Sequence, residues 1–151
     1  MKLRKTLIMS VLAAALGTTA LAAPEADNAI AYRQAVMKSI EGHTIAIAMI
    51  MQGKVEQKDA LGAHARGLVL SASTALSAFK QNTFDQGFEK TTVKGDSIWK
   101  DWAGFEKRMG ALTTAANAMA NASEAGSVTI DHLKALGGAC KGCHDDFRDL
   151  K

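Results

Sequence analysis

Cys140-Lys141-Gly142-Cys143-His144 holds both cysteines of a 151-residue chain, and the rest of the sequence is best read outward from it. Two cysteines three apart, followed at once by histidine, form the attachment pattern for c-type haem. The thiols add to the two porphyrin vinyl groups and the imidazole takes the iron. On a helix, positions i, i+3 and i+4 share a face, so Cys140, Cys143 and His144 reach one edge and one side of a single planar macrocycle. The small Gly142 leaves room beside them. A thioredoxin-like dithiol needs a βαβ context and half of a zinc site needs two further ligands; neither context is in the sequence.

At the opposite end, Lys2, Arg4 and Lys5 precede an almost wholly apolar run from Thr6 to Leu16 and a small-x-small site at Ala20-Leu21-Ala22. This is the pattern of a secretory signal peptide, cleaved after residue 22 to leave one mature domain over 23–151. The run is shorter than the ~20 residues a spanning helix needs, so no membrane anchor is expected after cleavage. The chain has 18 Lys plus Arg against 15 Asp plus Glu. Three of the basic residues lie in the leader, so the mature chain is formally neutral and offers no basic face for nucleic acid. Export places two close cysteines in an oxidising compartment, where thioether bonds to haem would protect them from pairing.

One proline, Pro24, and no alternating β-branched run point to helix throughout. The first helix is expected from an N-cap at Asp27 to Gln52, with Ile30, Met37, Thr44 and Met51 in one heptad register and Ile40 and Ile47 in its companion. The second runs from about Asp59 to Lys80 with Leu61, Ala65, Leu68, Ala72, Leu76 and Phe79 on one face. Its Gly62 and Gly67 each cost roughly 1 kcal/mol relative to alanine. A polar connection from Gln81 to Gly95, anchored by Phe84 and Phe88, is longer than usual between bundle helices. The third helix, capped at Asp96 or Ser97, carries Ile98, Trp102, Phe105, Met109, Leu112, Ala116 and Met119 in steps of four and three. The fourth runs from Thr129 to about Leu150 with Ile130, Leu133, Gly137, Cys140, His144 and Phe147 in one seam. The fold class is therefore all-α, an antiparallel up-down-up-down four-helix bundle with haem c in its core.

The motif Cys-Lys-Gly-Cys-His-Asp-Asp-Phe-Arg late in a fourth helix, Tyr32-Arg33-Gln34-Ala35-Val36-Met37 in the first, and Ile98-Trp99 followed by Phe105 together resemble class II cytochrome c, the cytochrome c′ group. The resemblance covers essentially the whole mature chain. It implies one covalently attached haem c and a periplasmic location. It also implies a homodimer built through the first two helices, with soluble redox partner proteins, His144 as proximal ligand and Met37 on the distal side. Phe84-Asp85 departs from a Phe-Pro common in the group, which affects the path of that loop.

In an up-down bundle the first and last helices are antiparallel neighbours, and at 1.5 Å per residue Met37 and His144 fall at similar heights. Three readings of Met37 stand: a core filler remote from the iron, a distal block that leaves the iron five-coordinate, and an axial ligand giving His/Met iron of raised potential, as in a low-spin carrier of the cytochrome c556 type. The resemblance of the Tyr32–Met37 stretch favours the five-coordinate form, binding small gases such as NO or CO. An NO-reducing or peroxidase enzyme would need a polar acid/base group over the distal face, which Met37 does not provide; no catalytic residue is therefore assigned. Arg33 and Arg148, one turn from Met37 and His144, are candidate propionate partners, with exposed surface charge as the alternative. His43, His64 and His132 lack metal-ligand spacing and read as packing or surface residues. Trp102 fits the core, and Trp99 flanks the haem or a subunit interface.

Overall fold

The computed structural model describes residues 22–87 and 89–149. The expected leader up to residue 21, the Phe88 anchor and Leu150 lie outside the described residues. The described chain forms five helices: α1 (Ala22–Met51), α2 (Leu61–Ala75), α3 (Ser97–Lys100), α4 (Trp102–Glu124) and α5 (Ile130–Phe147). A 3-10 turn at Lys58–Ala60 leads into α2 and another at Leu76–Phe79 tightens its end. α1 packs on α2, α2 on α4 and α4 on α5, and α5 closes back on α1. The four long helices thus make the expected antiparallel bundle. No helix among the described residues is long and apolar enough to cross a membrane.

Several boundaries differ from the sequence expectation. α1 begins at Ala22, ahead of Asp27. Pro24 is tolerated there because first-turn N–H groups have no intrahelical partner to lose. Asp27 is no cap; its Oδ1 accepts the Glu89 N–H at 2.8 Å. The third helix is broken in two. Asp101 leaves helical geometry (φ −124°, ψ 61°) and its side chain accepts from the Gly104 N–H at 3.0 Å, restarting the helix as α4. The last helix stops at Phe147, since Arg148 turns extended and forms an antiparallel bridge with Val93.

The core follows the predicted faces closely. Ile30, Ile40, Ile47, Ala65, Leu68, Ala72, Phe79, Ile98, Phe105, Met109, Leu112, Ala116 and Met119 are all buried. The α5 seam is the exception: Ile130 is 54 % exposed and Leu136 is the side chain fully enclosed. A three-four spacing admits two adjacent stripes, and packing on α4 selects the one through Leu136 and Phe147. Phe105 anchors the end of the bundle nearest the cysteine motif. Its ring lies 4.9 Å from Phe79, 5.8 Å from Trp102 and 5.4 Å from Phe147, the last edge-on. Such pairs add ~0.5–1.5 kcal/mol each beyond their buried area.

The connection over residues 80–96 is a strap across that same end. Gln34 Nε2 donates to the Lys90 carbonyl at 2.7 Å, tying the strap to α1. The Lys94 N–H donates to the Phe147 carbonyl (3.0 Å) and the Asp149 N–H to the Thr92 carbonyl (2.9 Å), tying it to the end of α5. Asp85 sits at φ 55°. Proline is held near −65°, so this loop cannot follow the path that a Phe-Pro sequence takes.

Candidate haem site

Cys140, Cys143 and His144 lie on the inner side of α5, all half-buried, and both thiols are free. The two cysteines pack against the main core cluster together with Val36 and Met37 of α1. Burial pushes the Cys140 thiol above its usual value, partly offset by a hydrogen bond to the backbone. Cys143 is pushed up to about 11, chiefly by burial, while the Arg108 cation pulls it down and Asp146 and Cys140 push it up. At neutral pH both sulfurs are protonated thiols, the form from which thioether addition starts.

His144 is shifted the opposite way. Burial lowers its pKa, Arg148 lowers it further, and Asp145 and Glu41 oppose them. The imidazole is therefore neutral at pH 7, with a lone pair free for a metal. Glu41, one turn beyond Met37 on α1, is near enough to act on His144 across the bundle. Met37 itself is half-buried against the core.

Arg33 is not an exposed charge. It is 3 % exposed, Nε donates to the Ala78 carbonyl (3.4 Å), Nη1 to Thr83 Oγ1 (3.1 Å) and Nη2 to the Gln81 carbonyl (3.2 Å). Its guanidinium lies 4.7 Å from the Phe79 ring centroid and 5.4 Å from that of Trp99. Trp99 is itself fixed by donating Nε1–H to the Phe79 carbonyl at 2.8 Å. Among the described residues no ion pair involves Arg33. A guanidinium carries five N–H donors, so donors remain beyond the three bonds. A buried cation without a carboxylate is costly unless an anion joins it. Arg148 is exposed beside His144.

These features fit a covalently held haem: two protonated thiols at the attachment spacing, a neutral imidazole beside them, and a buried cation with no anionic partner among the described residues. The other histidines stay apart from the site. His43 Nδ1 and His64 Nδ1 meet at 3.2 Å between α1 and α2. A side chain on Gly67 would collide with the His43 ring, its Cβ reaching 2.4 Å from Cε1, which accounts for a glycine inside α2. His132 Nδ1 accepts the Thr129 N–H at 3.1 Å and so caps α5. Among the described residues no three His, Cys, Asp or Glu side chains gather as a metal cluster.

Sequence reasoning missed Arg108 and Asp146. Arg108 Nε donates to Asp146 Oδ2 at 2.8 Å, Nη2 lies 2.8 Å from the same oxygen as an ion-pair contact, and the guanidinium lies against Gly142 inside the attachment motif. Arg108 sits on the polar face of α4, where a lone arginine carries no signal; only the bundle brings it to residue 146.

The family model described as Cytochrome C′ matches residues 28–148. The cytochrome c′ of Rhodospirillum rubrum is 29% identical over 148 residues, covering 97% of this chain and 99% of that protein. The cytochrome c-556 of Agrobacterium fabrum is 32% identical over 119 residues, 77% of each chain. Among solved structures, a nitric oxide complex of a cytochrome c prime variant from Alcaligenes xylosoxidans superposes with a TM-score of 0.70 at 23% identity, covering 83% of this chain and 97% of that one.

Proposed function

Since the chain belongs to the cytochrome c′ family and so carries haem c, we propose that it is an exported, periplasmic electron carrier that also binds small uncharged gases such as NO and CO at five-coordinate iron. Bound haem supplies one-electron chemistry at iron and an open coordination position. The chain's part is to hold and shape that position. Cys140 and Cys143 are the attachment points and His144 the proximal ligand. Met37 closes the distal side with an unbranched apolar side chain that neither donates nor accepts a proton. Arg33 and Arg148 are assigned to the propionates.

The observation that supports this reading is that half-buried His144 shares α5 with Cys140 and Cys143, and both cysteines and Met37 of α1 pack against the same core cluster. The nitric oxide complex of the Alcaligenes xylosoxidans neighbour lends support to gas binding. We also assign the chain to a homodimer; α1 and α2 leave Ile45, Met49 and Leu70 exposed, apolar surface suited to a second copy. A second reading, a low-spin His/Met carrier, is favoured by the likeness to the Agrobacterium fabrum cytochrome c-556 and by a thioether on the facing helix.

Titration of the ferrous protein with CO tests the proposal. Binding that tightens in Met37→Ala, where the distal bulk is removed, is expected. Failure of the wild-type protein to bind CO or NO would overturn it.

A further inference from the structure

Arg108 is placed to act on the haem site electrostatically. A methyl group at position 142 would come within 3.0 Å of Arg108 Nη1 and 3.5 Å of Cζ, so the guanidinium lies directly on the turn between the two cysteines. It is not a wandering surface charge. Nε donates to Asp146 Oδ2 at 2.8 Å and Nη2 lies 2.8 Å from the same oxygen in ion-pair contact, a charge-assisted contact that holds the guanidinium at this carboxylate. The nitrogen left over, Nη1, is the one facing Gly142. The pair is therefore a clamped dipole with its positive end at the attachment motif and its negative end one turn further along α5.

We propose that Arg108, clamped by Asp146, is a positioning residue that holds a fixed positive charge over the Cys140–Cys143 turn and raises the potential at which the haem site accepts an electron. Uptake of one electron from a donor protein lowers the positive charge of the site by one. A nearby cation favours that state and a nearby anion opposes it. The inference rests on haem attachment at Cys140 and Cys143. Both partners are half-exposed, 45% each, so the effect is screened by water and shrinks with added salt.

The test is the midpoint potential of the haem-loaded full chain as wild type, Arg108→Met, Arg108→Lys and Asp146→Asn, with helical unfolding followed by circular dichroism in parallel. Removing the cation leaves Asp146 unopposed, and the midpoint should fall. Removing the anion leaves Arg108 unopposed, and the midpoint should rise. The lysine variant should stay near wild type, and both displacements should contract at high salt. A purely structural contact predicts something else: both neutralising variants lose thermal stability and move the potential in the same direction or not at all. That pattern would overturn the inference. Should Arg108→Met fail to mature, the opposite displacement in Asp146→Asn and the rescue by lysine still decide it. Wild-type protein without covalent haem would instead refute the attachment reading on which the inference rests.

Discussion

At the scale of single residues, the site is governed by what burial does to ionisable groups. His144 has its pKa lowered from 6.5. Its unfolded form takes up a proton first as pH falls, so this group's contribution to stability is present above the ordinary imidazole range and is lost as pH drops through it. Arg148 helps to lower that value. Arg148→Ala should therefore move the acid transition of the haem spectrum to higher pH, and Asp145→Asn, which removes an opposing carboxylate, should move it lower. A spectrophotometric acid titration of the three proteins checks both signs. Arg33 presents a different case. Its three bonds end on the Ala78 and Gln81 carbonyls and the Thr83 hydroxyl, and each acceptor stranded by Arg33→Met costs ~1–3 kcal/mol. Amide exchange over residues 80–96 should accelerate in that variant. The sequence made the attachment residues legible because their spacing is local. It left Arg33 between two roles, since the strap residues that bond it are 48 to 50 positions away.

Among the elements, helix type could be read directly and so could the buried face of every long helix but α5, while helix ends could not. The three-four pattern from Phe105 to Met119 specified the buried face of α4 because each position repeats the same environment. The break at Asp101 rests instead on one side chain bonding one amide. Helix and cap propensities of aspartate compete there, and only the packing of Ile98 and Phe105 decides between them. Asp101→Ala should cost ~0.5–2 kcal/mol of stability, read from chemical denaturation. The strap offers a sharper test through Asp85 at φ 55°. Asp85→Gly should stabilise or leave stability unchanged, because glycine adopts that conformation without steric cost. Asp85→Pro should destabilise, because its ring forbids it. Equal thermal midpoints for these two variants would contradict the loop path described here.

For the whole molecule, four helices bring together groups that no short window of sequence connects. The cysteines and His144 come from α5, Met37 and Glu41 from α1, Arg108 from α4, and the strap fastens α1 to the end of α5. The same bundle leaves Leu70 69 % exposed. In sedimentation experiments the wild-type protein should behave as a dimer and Leu70→Lys as a monomer, with the haem spectrum unchanged. The proposal turns on the space between α1 and α5, where Met37 is assigned to shield the distal side without bonding to the iron. The absorption spectrum of the ferric protein at neutral pH tests it most directly. The account predicts a high-spin, five-coordinate spectrum; a low-spin spectrum with a far-red sulfur-to-iron band would show that Met37 is a ligand and contradict it.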